Sequence, residues 1–366
     1  MRDKIKVAVV GVGFIGYQHI ESIRRIPNTE IVAFVVPTKA EADKISRETG
    51  ITNYYLTVED LLANETDLDV VHNCTPSGEH YRINKLVIQA GINIYCEKPF
   101  TLTSRESEEL VALLESTDLK GAVNFNYRHN LMVMEMKERI EQQAIGNVWF
   151  VQAEYLQDWL LFQEDYDWRI DASLGGQSRA IADIGSHCFD TLQYLLGKKI
   201  SSIQARNYKK FDTRLSQGIE KVVENEDASI ILVTFEDGTD GLIRLSQVTP
   251  GKKNDFHILV EGDRESLEWY QEQPDRLRIG RRNEPNQEVY ASKQYLTGQA
   301  SQAAILPNGH AVGWADAFTQ GIKCFYQSLQ GEDKGGYVTF AEAHYIMKLV
   351  DACLESHRTN CRVEII

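Results

Sequence analysis

Long apolar runs are missing from this 366-residue chain. No stretch approaches the roughly 20 consecutive apolar residues that a membrane-spanning helix needs. A surplus of positive charge is missing too, since 39 Lys and Arg stand against 53 Asp and Glu for a formal net charge of −14. A nucleic-acid binder would show a basic face or stripe, so that class is not expected. Cysteine is scarce: Cys74, Cys96, Cys188, Cys324, Cys353 and Cys361 lie far apart, none in a CxxC pair. That usage suits buried free thiols in a reducing cytosol better than a disulfide framework. The histidines are scattered without an HExxH zinc motif, and no GxSxG nucleophile elbow occurs. No metal is therefore expected. The opening "MRDKIKVAVVGVGFIG" has the charges of a secretory signal, but its apolar run is short and broken by glycines. A cytoplasmic protein with neither nucleic-acid nor membrane partners is the expectation.

What is present reads as two domains. The length exceeds one ordinary core, and 43% hydrophobic with 25% charged residues is ordinary for a globular chain. The first third alternates strand and helix signals. "KIKVAVVG" (4–11) is a continuous β-rich run, as in a strand buried on both faces. Helical spacing follows at 17–26, a strand at 30–36 and a helix at 39–50 ending on Gly50. Strands at 67–76, 91–98 and 121–128 continue the series, with helices at 79–90 and from Thr103, whose "TSRE" has capping-box spacing. This alternation predicts a parallel sheet of βαβ units over residues 1–125. Residues 126–366 read differently, with a helix at 131–143 and strands at 148–156, 200–208, 228–236, 241–248, 256–261 and 266–270. Helices at 181–196, 314–330 and 340–357 complete an α+β domain with a largely antiparallel, open sheet. No internal repeat or low-complexity tract interrupts either part. The long aromatic stretch 157–180 is a loop of the kind that often carries function.

Gly11, Gly13 and Gly16 in "GVGFIG" stand directly after a strand and before a helix. The first permits a tight turn, the second lets backbone approach a pyrophosphate, and the third lets helix and sheet pack closely. The helix start, with Phe14 and Ile15, then offers amide donors and a positive dipole end. Dinucleotide binding is the expectation. The second strand runs into Val36-Pro37-Thr38-Lys39, with no carboxylate until Glu41. Thr38 and Lys39 could receive a 2′-phosphate, while Lys39 could equally be the solvated start of a helix. The balance leans slightly to NADP within NAD or NADP.

Glu97-Lys98-Pro99 ends an apolar strand on a charge pair. Ligands bind at the carboxyl ends of parallel strands, and a lysine there can move a hydroxyl proton and steady an alkoxide. Read alone, the pair could as well be a solvated strand end. Farther on, Asp183, His187 and Asp190 share helical spacing of i, i+4 and i+7 after the glycine pair Gly175-Gly176. A carboxylate beside an imidazole is a recurrent acid–base arrangement.

The ordered set Gly11-x-Gly13-x-x-Gly16, Glu97-Lys98-Pro99 and Asp183-x-Gly185-x-His187 resembles the glucose–fructose oxidoreductase / inositol dehydrogenase / MocA family over nearly the whole chain. "CTPSGEHYRINKLVIQAG" (74–91), "DWRIDASLGGQSRAIADIGSH" (167–187) and the closing helix fit it as well. The resemblance implies an NAD(P)-dependent dehydrogenase acting on a secondary hydroxyl of a sugar, sugar derivative or cyclic polyol. Lys98, Asp183 and His187 would be catalytic. Thr75, Pro76, His80, Glu97 and Asn126 would join the glycine loop at the cofactor. Tyr127, Arg128, Trp168, Arg169, His187 and His310 would meet substrate. Whether the Lys98–Pro99 bond is cis stays open, as does whether Glu97 touches the cofactor or holds the lysine. The missing acid after the second strand departs from the family's pattern. Some relatives instead hydrolyse glycosides with a tightly held NAD, and one is a non-enzymatic co-repressor. A homodimer or homotetramer is expected on fold analogy, since an open sheet has a face to cover.

Overall fold

A computed structural model describes residues 4–332 and 336–365. Two compact units are present: residues 1–125 with 318–345, and residues 126–317 with 346–366. The cut after Phe125 coincides with the boundary expected from the sequence, whereas the return of 318–345 to the first unit was not foreseen.

The first unit is built on strands β1 (Ile5–Val10), β2 (Thr29–Val35), β3 (Tyr54–Tyr55), β4 (Val70–Asn73), β5 (Asn93–Cys96) and β6 (Gly121–Val123). Their order is β6-β5-β4-β1-β2-β3, all neighbours parallel. The strand Val338–Thr339 adds antiparallel to the outer edge of β6. β1 and β4 are almost wholly buried, which is why β1 is a run of Val, Ile and Ala broken only by Lys6, while β4 follows Val70 and Val71 with the buried polar residues His72 and Asn73. The crossovers are α1 (Phe14–Arg24), α2 (Lys39–Thr49), α3 (Val58–Asn64), α4 (His80–Gln89) and α5 (Ser104–Glu115). Thr38 and Thr57 cap α2 and α3. Thr103 and Glu106 form the expected capping box on α5.

The second unit carries a nine-stranded sheet. Its order is 287–290, 276–281, 265–270, 255–262, 148–156, 240–246, 228–235, 200–208 and 363–364. Every pairing is antiparallel except that of Asp240–Ser246 with Val148–Leu156. The inner residues of these strands alternate cleanly, for example Ile231, Val233 and Phe235 buried against exposed Ile230 and Leu232. The helices Leu131–Glu141 and Ser186–Leu196 belong to this unit. The expected helix 181–196 is not uniform, since Ile181–Gly185 is a π turn that passes into an α-helix at Ser186. The hairpin Thr213–Ser216/Ile219–Val222 and the outer strands 276–281 and 287–290 were not read from the sequence. The hairpin and the strand 287–290 are short and polar or charged without a clear apolar alternation, whereas 276–281 does alternate, burying Leu277 and Ile279 beside arginines. All six cysteines are free, and among the described residues no helix is long and apolar enough to cross a membrane.

His129 lies buried just before the helix Leu131–Glu141. Burial, aided by the neighbouring Arg128 charge, pushes its pKa down to about 3. Its folded-state value therefore lies below the unfolded one, so its contribution to stability is full above about pH 6.5 and is lost as pH falls. Between pH 7 and pH 5 the loss should be about 2 kcal/mol, from ~1.5 pH units at 1.36 kcal/mol each. Denaturant unfolding at both pH values should show a pH-dependent loss smaller by about that amount in His129→Gln. An unchanged loss would show that His129 titrates normally in the fold.

Candidate active site

The glycine loop divides its labour by geometry. Gly11 has φ +83°, and a Cβ there would lie 2.9 Å from the backbone of Cys74 and Thr75. A Cβ on Gly16 would lie 2.2 Å from the Gly11 carbonyl oxygen, so β1 and α1 could not pack. A Cβ on Gly13 would meet nothing within 4 Å. Gly13 is also the N-cap of α1, with no side-chain cap and no acid in the first turn. Open space over uncapped amides is what a diphosphate needs. Phe14 is 77% exposed beside it, and Ile15 is half-buried. The residues present thus fit a dinucleotide.

Thr38 and Lys39 turn out to start a helix. The Thr38 hydroxyl donates to the Glu41 carboxylate at 2.9 Å and accepts from the Glu41 amide at 3.3 Å. The capping turn thereby brings a carboxylate back to the end of β2, where the sequence showed none. An anion there repels a 2′-phosphate, so the lean to NADP is not supported.

At the ends of β4 and β5 the backbone is held by side chains. Asn73 accepts from the Thr75 hydroxyl at 2.7 Å, which occupies that hydroxyl, and Pro76 opens the short turn before α4. The His80 ring places Nδ1 2.8 Å from the Pro99 carbonyl oxygen and Nε2 2.9 Å from that of Thr75. Burial lowers its pKa, while both carbonyls oppose that shift. His80 therefore lies between the turns that follow β4 and β5, and its neutral ring has one N–H to give to one of the two carbonyls. The Lys98–Pro99 bond is cis. Glu97 is 5% exposed, and its carboxylate accepts from the Lys98 backbone N–H at 3.1 Å.

In the second unit, Asp183 lies in the π turn, and such turns recur at functional sites. Gln247 Nε2 donates to Asp183 Oδ2 at 2.8 Å, and Arg169 Nε lies 3.7 Å from Oδ1. Arg169 also stacks over the Trp168 ring at 4.5 Å and donates to Asp167 at 3.0 Å. Two of the expected substrate residues are thus gathered at the acid. His187 is buried, with Tyr127 edge-on to its ring at 4.8 Å and Tyr155 at 6.2 Å. The two tyrosine hydroxyls lie 2.8 Å apart and both bond Asn254. Burial pushes the Tyr127 pKa up to about 12, so it stays a neutral donor. Asn126 is buried next to Tyr127, with an amide nitrogen that has no partner among the described residues.

Other expected residues are engaged elsewhere. Arg128 is buried and pairs with Asp190 through two nitrogens, with the Nε contact at 3.1 Å. This ion pair is what the i+7 acid of the helix does. His310 is exposed, its ring turned to the Pro307 carbonyl at 3.0 Å. The loop 157–180 is anchored by an apolar cluster of Leu160, Ile170 and Val223 with Trp159. Its end is pinned where buried Arg179 and Arg214 share Asp227. Gln247 was missed from the sequence, where its only mark is a polar residue directly after the strand "DGLIRLS".

The two glycines predict separable effects. Gly13→Ala should leave the thermal midpoint within about 2 °C while weakening NADH binding about tenfold by fluorescence titration. Gly16→Ala should lower both together. Unchanged NADH affinity in Gly13→Ala would remove the dinucleotide from this turn.

The family model "Oxidoreductase family, NAD-binding Rossmann fold" matches residues 5–125, and the "GFO/IDH/MocA C-terminal domain" matches residues 133–268. An uncharacterised oxidoreductase of Bacillus subtilis is 26% identical over 86% of this chain and 82% of its own. A levoglucosan dehydrogenase of Pseudarthrobacter phenanthrenivorans is 26% identical over 76% of each chain. A solved levoglucosan dehydrogenase in complex with NADH and L-sorbose superposes with a TM-score of 0.93 at 23% identity, covering 99% of both chains. Matched by one family in each of its domains, and carrying that family's motifs in order, the chain belongs to the Gfo/Idh/MocA oxidoreductases.

Proposed function

We propose that this protein is an NAD-dependent dehydrogenase that oxidises a secondary hydroxyl of a sugar, sugar derivative or cyclic polyol. The observation that carries this reading is the acid–imidazole pair of the second unit. Asp183 is fixed by Gln247 one turn before His187, which is flanked by two tyrosines. Bound NAD would supply the hydride acceptor. The amides of α1 beyond Gly13 would hold its diphosphate, and Glu41 would accept from the adenosine ribose hydroxyls. His187, together with Lys98, would take the substrate's hydroxyl proton, and the Lys98 charge would steady the oxygen as it becomes an alkoxide. Asp183 would keep the imidazole oriented. Trp168 offers an apolar face and Arg169 a fork of donors, which suits a ring with apolar faces and many hydroxyls. The relative that oxidises levoglucosan by name supports a sugar-like substrate.

A panel of sugars and inositols with both coenzymes, read at 340 nm, tests the reading. NADH should accumulate with at least one substrate, and Lys98→Ala should lower turnover by about a hundredfold or more while NADH still binds. Glu41→Ala should narrow the preference for NAD over NADP by about tenfold. Release of sugar without NADH would favour the glycosidase chemistry of some relatives. Near-normal turnover in Lys98→Ala would refute the catalytic assignment.

We also propose that a second copy covers the open sheet face of the second unit, where Ile230 is 44% and Leu232 52% exposed on adjacent outward positions. A dimer or tetramer by light scattering at micromolar concentration is expected, and Leu232→Glu should weaken it. A monomeric wild type would overturn the proposal.

A further inference from the structure

Glu97 sits at the meeting point of two buried hydrogen-bond chains, and every bond that reaches its carboxylate is donated to it. Its Oε1 lies 3.0 Å from His19 Nε2 and accepts from Asn124 Nδ2 at 2.6 Å, while Oε2 accepts from the Lys98 N–H at 3.1 Å. Three donors therefore face one carboxyl group. A neutral carboxylic acid carries its own O–H and would set donor against donor, whereas a carboxylate has about four acceptor positions and takes all three. Burial alone would raise the Glu97 pKa, but the bond and charge of His19, the bond from Asn124 and the Lys98 charge outweigh it and the net shift is downward.

The rest of the network follows from that anion. His19 Nε2 must carry a proton to face that anion. The Nδ1 atoms of His19 and His72 lie 2.7 Å apart, so one of the two donates. His72 Nε2 is 2.8 Å from Tyr326 Oη. Burial, with the neighbouring His19, pushes the His72 pKa well down. One chain thus links Tyr326, His72, His19 and Glu97. The second runs from the Tyr95 hydroxyl to Asn124 Oδ1 at 3.0 Å, and from the Asn124 amide to Glu97. His19, His72, Asn124, Tyr95 and Tyr326 are all 0–2% exposed. They come from α1, β4, the segment after β6, β5 and the helix Trp314–Leu329.

We propose that Glu97 is a positioning residue that acts through Lys98 and does not bind the coenzyme. Both of its oxygens are occupied from inside the protein, and one of them holds the backbone N–H of Lys98 itself. The chains fix the carboxylate from β4, β5 and two helices, so the strand end bearing Lys98 is set by the core of the first unit. An amide at this position cannot substitute. In either orientation its NH2 faces a donor, either the Lys98 N–H or the His19 and Asn124 pair. The inference rests on the catalytic reading of Lys98 given above.

Four proteins test it: wild type, Glu97→Gln, Lys98→Ala and the double variant. Glu97→Gln should lower kcat about tenfold or more, with the NADH dissociation constant unchanged within about twofold. The double variant should be no slower than Lys98→Ala alone, since a residue that acts through a lysine has nothing to act on once the lysine is gone. A weaker NADH affinity with kcat preserved at saturation would make Glu97 a coenzyme ligand. Losses that multiply in the double variant would make it an independent contributor, as a purely structural role would. Either result overturns the inference and leaves the Lys98 assignment intact, whereas near-normal turnover in Lys98→Ala alone overturns both. Should Glu97→Gln fail to fold, Asn124→Ala removes one of the three donors. It should then lower kcat severalfold with NADH affinity unchanged, and a loss of affinity instead would count against the inference.

Discussion

A carboxylate buried at the end of a parallel strand must find hydrogen-bond donors on both oxygens or give up its charge. Glu97 meets that demand with three, and the demand organises much of the first unit. His19 must point inward from α1 only three residues after Gly16. His72 must lie in the buried strand β4, and a tyrosine must arrive from residue 326 to complete its ring. That last requirement gives a physical reason for residues 318–345 to rejoin a domain that the chain had left at residue 125. The helix brings a hydrogen-bond partner for His72 that comes from outside the first 125 residues.

Leaving one member unpaired would cost about 1–3 kcal/mol, and more for the charged one. A loss of that size is a large part of a domain's net stability. The network is therefore both core and scaffold. Its outer end presents Lys98, and its inner end is an ordinary packed interior of Tyr95, Phe318 and Phe325 around the histidine rings. The second unit solves a similar problem with different means. There Gln247 fixes Asp183, two tyrosines enclose His187, and Asp190 is spent on Arg128.

The fold was legible where pattern and burial coincide. The strands 148–156 and 200–208 have their expected ends, and β1 falls one residue short of its expected span at each end, because apolar residues fill most of their buried positions. The hairpin at 213–222 and the strand 287–290 lack that signature, being polar and largely exposed, whereas 276–281 carries it in Leu277 and Ile279 and was overlooked. The spacing of Asp183 and His187 put them on one helix, but not the π turn that holds the acid. Glu41 was visible and judged too late in the chain, since only the capping turn at Thr38 brings it back. The setting of Glu97 was beyond the sequence altogether. His19, His72, Asn124 and Tyr326 span more than 300 positions, and none of them carries a local signal of the others.

The proposed chemistry moves a hydride directly from a substrate carbon to nicotinamide. Supplying a polyol or sugar deuterated at its carbinol carbons and weighing the reduced coenzyme tests that transfer. Direct transfer makes the NADH heavier by one mass unit, with formation slowed relative to the protiated substrate. NADH without the added mass, or product formed with no net NADH, would contradict it.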